Sequence, residues 1–305
     1  MTLYYENTDM SAYANITSCI SLDASQGRAD ALDMTLSDAA QWYAWKPQMG
    51  DAIEVREGAY TTGRLYLSAL VPEGDSFRVI ATSLPREAFR RKWAAYSQVT
   101  LNTILQGCAA ECGMDSETYG VEGGALYSYL IRRNEGCAAF LNRLAKWEGL
   151  ALKAFDGAFR LVSIEWAQER KAARKMKILA QEDSAAYYSR PNARHSSLTV
   201  ETPFCKVIAR DENTAFHDPV VVCDLPARDA VTAGRWARGL LLDMNRKHEK
   251  LEMTTAFDPR LIALNRIDVT GDTAANGQWL IEEAEHDLFN GRSSVTMYRV
   301  YEGIM

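Results

Sequence analysis

Residues 277–287 read Gly-Gln-Trp-Leu-Ile-Glu-Glu-Ala-Glu-His-Asp, with four carboxylates and a histidine in the nine residues from Trp279 onward. That density fits a metal or acid–base site. It fits equally a strand whose outer side is polar. The apolar positions are Trp279, Ile281 and Ala284. The step from 281 to 284 breaks the strand period of two as a β-bulge does. In a helix Glu282 and His286 would align at i and i+4, but Trp279 to Ile281 would sit poorly and no cap precedes them. The strand is the better reading, with the glutamates facing solvent or a partner.

A related pattern lies near the start of the chain. Leu32-Asp-Met-Thr35, Ile53-Glu-Val55 and Gly63 with Leu65 and Leu67 recur in the same order as Leu251-Glu-Met-Thr254, Ile267-Asp-Val269 and Gly277 with Trp279 and Ile281. Ile to Gly is ten residues in both copies. An internal repeat dictates architecture before any other signal. The first copy has no acidic cluster, so the fold needs a strand there and does not need carboxylates. Residues 30–83 and 249–302 are expected to trace one β topology.

Between the copies the period changes. Leu101, Ile104, Leu105, Cys108, Ala109 and Cys112 share one helical face, with Thr100 as cap and Gly113 as stop. A second helix is expected from Glu135 to Glu148, capped by Asn134, with Phe140, Leu141, Leu144 and Ala145 buried and Gly149 ending it. A hairpin then turns at Asp156-Gly157. Strands return near Leu198, interrupted by a helix from about Asp229 to Arg246. The expected class is α+β, mainly β. Two similar β-barrel domains, 1–85 and 191–305, the latter with one inserted helix, flank an α/β insert at 86–190.

At 305 residues the chain can build two or three cores. Its net charge of −6 argues against a general DNA-coating role. The N-terminus lacks the basic start and apolar run of a secretory signal, and no window is apolar enough to span a membrane. The six cysteines (19, 108, 112, 137, 205, 223) lie mostly in apolar patterns and read as reduced core thiols. Cys108 and Cys112 lack the further ligands a zinc site needs.

The ending Asn276-Gly-Gln-Trp-Leu-Ile-Glu-Glu-Ala-Glu-His286, followed by Ser293-Ser-Val-Thr-Met-Tyr298, resembles the C-terminal signature of the phage late control protein D family, the baseplate hubs of contractile tails. These share a fold with the hub part of type VI secretion spike proteins. The matched positions are Gly277, Trp279, Ile281, Ala284 and His286. Asn134-Glu135, Phe140-Leu141, Arg143-Leu-Ala145 and Gly149, with the hairpin after them, resemble a second family motif. The resemblance implies tube-type β domains and a homotrimer, whose six β units adapt a six-fold tail tube to a three-fold spike. The interface would bury on the order of 2,000 Å² or more. It implies contact with a tube or tube-initiator protein, a separate spike and other baseplate proteins. Assembly would take place in the bacterial cytoplasm, and the product would be a virion or injection particle. No membrane, cofactor or catalytic residue is implied, and nucleic acid enters only as cargo of the lumen. Many such hubs are longer; this chain has no room for a fused spike or hydrolase.

Three rivals remain at this level. One is the hub of a non-contractile tail on the same fold. Another is a metal-dependent hydrolase using Glu282, Glu283 and His286. The third is a monomeric β-rich binding module. The basic run Arg170–Lys177 suits nucleic acid, a solvated face or an acidic neighbour, and the similar run Arg86–Lys92 reads as a linker after the first barrel. His195, His217, His248 and His286 are far apart in sequence, and no nucleophile elbow or phosphate-cradling glycine loop is present.

Overall fold

The computed structural model describes residues 1–37, 44–179, 182–214, 217–301 and 303–304. The N-terminal strands are β1 (Thr2–Tyr5), β2 (Thr8–Asp9), β3 (Asn15–Ala24), β4 (Ala31–Ser37), β5 (Ala52–Glu57), β6 (Tyr60–Thr61), β7 (Leu65–Glu73) and β8 (Ser76–Thr82). Strict alternation in β4 buries Leu32, Met34 and Leu36 and leaves Asp33 and Thr35 on the other face.

The chain then makes a first helical excursion. After a 3-10 turn at Arg86–Phe89 come β9 (Lys92–Thr100), α1 (Leu101–Cys112), β10 (Asp115–Tyr119) and β11 (Leu126–Glu135). They are followed by α2 (Cys137–Trp147), β12 (Leu150–Phe155), β13 (Ala158–Ser163) and α3 (Ile164–Glu169). Thr100 caps α1, its hydroxyl accepting from the Thr103 N–H at 3.2 Å, and Gly113 closes it in the left-handed conformation. Asp156 and Gly157 turn the β12–β13 hairpin with φ of 49° and 75°, the two left-handed residues of a type I′ turn.

β14 (Arg174–Lys177) and β15 (Ser184–Ser189) precede a second excursion. It holds β16 (Ser197–Glu201), β17 (Lys206–Arg210), β18 (Pro219–Val222) and α4 (Ala230–Asn245). The chain finishes with β19 (Glu249–Ala256), β20 (Arg266–Thr270), β21 (Gly277–Asp287) and β22 (Arg292–Arg299).

The two ends of the chain form one 14-stranded sheet. Its N-terminal part runs β3-β4-β8-β7-β5-β1, and its C-terminal part runs β15-β19-β22-β21-β20-β14. Position by position the two orders correspond, and so do the registers. Leu32 faces Ala81 as Leu251 faces Met297, and Ile53 faces Leu65 as Ile267 faces Trp279. Each part carries a bulge at the same place, between Leu67 and Ala69 and between Ile281 and Glu283. The last pair differs, β1 meeting β5 antiparallel while β14 meets β20 parallel. Leu32, Ile53 and Val55 belong to one apolar core, and Leu251, Ile267 and Val269 to a second.

One expectation needs correction. Neither part closes into a barrel among the described residues. β3 spends its second edge on β21, joining the two parts into one open sheet whose path ends at β15 and at β2. Six strands with such edges leave free hydrogen-bonding rims instead of a closed ring. β14 and β15 pair within the C-terminal sheet, while β16 and α4 share a third core with α1, α2 and β12. Both excursions leave the sheet at its same end, from Thr82 beside Ala31 and from Ser189 beside Glu249. The helices therefore gather at one end, and the β7–β8 and β21–β22 hairpin tips project at the other.

Candidate functional site

Strand β21 carries the acidic cluster, and the structure distributes that cluster among separate surroundings. The Ile281–Glu283 bulge turns Glu282 toward the end of α4. There its carboxylate accepts from the buried Arg246 at 3.0 Å, with Lys247 at 3.4 Å. Glu283 is held by Arg28 at 2.8 Å across the sheet, and Glu285 is exposed. His286 faces the opposite way and is fully buried. Its Nδ1 lies 2.8 Å from Ser293 Oγ, with the rings of Tyr60 at 4.7 Å and Phe257 at 5.5 Å. The two glutamates and the histidine proposed for a hydrolase thus do not converge. Among the described residues no group of three or more His, Cys, Asp or Glu could hold a metal ion.

Burial lowers the His286 pKa from its ordinary value, against the pull of Asp23, so the fold favours the neutral ring. A base whose folded pKa is depressed contributes stability above its unfolded pKa and loses it as the pH falls. We expect the stability advantage of the wild type over His286→Asn to be greatest above about pH 6.5 and to shrink as the pH falls below it. Urea melts of both proteins across that window test this; a constant difference would refute it.

The same strand joins the two halves. Glu283 to Asp287 pair with Ala24 to Ile20 of β3, and Leu288 enters the N-terminal core. A buried ion cluster lies beside this seam. Lys153 of β12 reaches Asp30 at 2.9 Å and Asp23 at 3.1 Å. Asp23 also accepts from the Ala263 N–H at 2.6 Å, and Asp30 from the Ala24 N–H at 2.9 Å. One cluster therefore ties both halves of the sheet to the helical end. Burial first, then Asp23, raises the Asp30 carboxyl to about 7, against the attraction of Lys153.

The residues of the second family motif build the helical core. Phe140, Leu141 and Leu144 of α2 are fully buried. Asn134 is not the cap. α2 begins at Cys137 behind Gly136, with no side-chain cap, because Asn134 still lies in β11 and takes a left-handed φ of 50°. Glu135, expected in the helix, also ends β11 and pairs with Arg143. Gly149 turns the chain after α2 with φ 69° and lies against Gly239 of α4. Beside it Glu148 accepts from Tyr127, Trp236 and Arg235 at 2.8, 2.7 and 3.0 Å. On β21, Gly277 packs under Arg299, which lies 4.5 Å from the Trp279 ring. Trp279 and Ile281 are fully buried in the C-terminal core.

Sequence reasoning missed Lys153, Asp23, Asp30, Glu148 and Gly239. The lysine within the apolar run Leu150-Ala-Leu-Lys-Ala-Phe155 was the available signal, since an unpaired lysine has no place in such a strand. Of the six cysteines, Cys19, Cys108, Cys112 and Cys137 are buried, Cys205 is half-buried and Cys223 is exposed, so the last is not a core thiol.

No protein-family model matches the chain, and no curated protein matches it in sequence. Solved structures do match. A 43 kDa tail protein of prophage MuSo2 from Shewanella oneidensis superposes with a TM-score of 0.74 at 15% identity, over 98% of this chain and 97% of that one. A tail protein from Neisseria meningitidis gives 0.74 at 11% identity, over 98% and 95%. An E. coli component of the type VI secretion system, described as similar to tail proteins of bacteriophage T4, gives 0.62 at 14% identity, over 98% and 77%. At such identities the likeness is one of fold, and it runs the length of the chain: the protein has the phage tail-protein fold that the type VI secretion component shares.

Proposed function

We propose that the protein is a structural hub of a phage tail baseplate or a related contractile injection system, working as a trimeric ring between tube and spike. The observation that carries the ring is the repeat of strand pairing. Within one chain the second half of β21 takes β3 as its neighbour. Among the described residues the equivalent half of β7, from Ala69, pairs only with β8, and β15, which corresponds to β3, pairs only with β19. Each chain thus carries one unused copy of each side of its own internal seam. Head-to-tail association would repeat the seam between chains and remove both edges.

The register follows from the intrachain pair Glu285–Leu22, whose counterparts are Val71 and Tyr188. Both are large, exposed side chains, at 38% and 44%. Pro72 has no N–H to offer, so the ladder there would use its carbonyl alone. Three chains would supply six similar sheet parts, matching a six-fold tube on one side and a three-fold spike on the other. The helices lie at one end of the sheet and bare hairpins at the other, which suits two different axial neighbours. The spike would be a separate chain, other baseplate proteins would meet the rim, and nucleic acid would pass only as cargo of the lumen. The separate fates of Glu282, Glu283 and His286 favour this structural role over hydrolysis.

The test is cross-linking in a Cys223→Ser background carrying Val71→Cys and Tyr188→Cys, at high concentration and with tube and spike partners present. We expect oxidation to give closed covalent trimers, with sedimentation of the reduced protein reporting the same species. A protein that stays monomeric with its partners, or that cross-links into open ladders, would sink the ring.

A further inference from the structure

A groove of about 630 Å³ lies where the β3–β4 turn, the 84–91 connection and the start of α2 meet. Its floor is built of small or aliphatic side chains, Ala29, Ala88, Ala138, Ala154, Leu84 and Leu152. Phe89 stands at its lip, 59% exposed. The rim is basic. Arg28 and Arg91 line it, and Arg86 and Arg90 flank it on the same connection. Among the described residues no ion pair is formed by Arg86, Arg90 or Arg91, whereas Glu135 at the rim is neutralised by Arg143. The first-turn N–H groups of α2 have no side-chain cap and add partial positive charge at the groove. In a chain of net charge −6 this is a local reversal of sign.

We propose that this groove binds an acidic, extended segment of a partner protein. A short apolar side chain would enter the alanine floor beside Phe89, and a neighbouring carboxylate would lie against Arg91. Apolar depth with charge only at the rim fits a peptide better than a polyanion. A nucleic-acid backbone would reward the arginines and leave the floor and the exposed phenylalanine without a role. Ala88, Phe89 and Arg91 of the basic run thereby acquire a purpose as the wall of a binding groove. The groove is complete within a single chain.

The experiment is selection of short random peptides on the immobilised full chain, followed by affinity measurement with two variants. Arg91→Glu reverses the rim charge. Ala139→Asp places a carboxylate in the first turn of α2, where it favours the helix yet repels an acidic ligand. We expect selected peptides rich in Asp and Glu next to a small apolar residue. Their binding should weaken about tenfold or more in each variant, with unchanged melting temperatures. Failure to enrich acidic peptides, or affinities indifferent to both substitutions, would overturn the proposal. So would a fluorescein-labelled single-stranded DNA that binds through Arg91 while no peptide is selected.

Discussion

Replacing Lys153 with Met should destabilise the protein by about 3–5 kcal/mol. Lys153, Asp23 and Asp30 are all nearly buried, and among the described residues the ammonium is the only cation paired with either carboxylate. Removing it leaves two acids facing each other in low dielectric, which costs far more than the pair is worth in place. The loss should depend on pH in a definite direction. Asp30 is already raised to about 7 with the lysine present. A raised carboxyl contributes stability below its unfolded pKa and loses it as the pH rises through the folded value. Without Lys153 this effect strengthens, so the deficit should be larger at pH 8 than at pH 5. The triple variant Lys153→Met, Asp23→Asn, Asp30→Asn removes the charges together and should recover part of the loss. Urea denaturation at both pH values checks all three statements. A Lys153→Met deficit under about 1 kcal/mol would mean that water reaches the cluster and screens it.

This cluster also marks how far the sequence could be read. The strands and their repeat were legible because one-sided burial imposes period two, and Leu32-Asp-Met-Thr35 and Leu251-Glu-Met-Thr254 keep it with the same inward-facing Leu and Met. The bulge after Ile281 was legible as a break in that period. The cap of α1 was legible because Thr100 does the local work that such a residue does, whereas the cap of α4 shows only in the structure, Asp229 accepting from the Thr232 N–H at 2.7 Å. What failed was long-range. Asn134 looks like a cap in sequence, but α2 starts only behind Gly136, where a Cβ would come within 2.4 Å of the Ala88 carbonyl. The seam between β3 and β21 joins residues some 260 positions apart, such as Leu22 and Glu285, and no local period announces it. Barrel closure rests on strand spacing and on the family resemblance, and neither says which edge a strand will spend on its neighbour. The candidate acid–base residues were adjacent in sequence, yet strand geometry sends Glu282 and His286 to different environments.

Two glycines of α4 should respond to the same substitution with opposite sign. A Cβ at Gly239 would stand 2.2 Å from the Trp147 carbonyl oxygen and 2.4 Å from the Gly149 nitrogen. Both are backbone atoms at the end of α2, and no rotamer change can move them. The close approach also sets Trp147 against Trp236, ring centroids 4.6 Å apart, and holds Glu148 within reach of Arg235 and Trp236. Gly239→Ala must therefore push two helices apart and stretch that network. We expect it to cost about 3 kcal/mol, even after the gain in helix propensity. At Gly234, five residues earlier in the same helix, a Cβ would meet only Val207 Cγ1 at 3.6 Å, an ordinary contact. Gly234→Ala should then stabilise by about 0.5–1 kcal/mol through the propensity term alone. Because both changes alter the unfolded chain alike, their difference isolates the contact between α2 and α4. Thermal melts of the two variants against wild type decide the matter. If Gly239→Ala melts at or above the wild-type temperature, the two helices do not cross at Gly149 and Gly239, and the tie between the two excursions must lie elsewhere in their shared core.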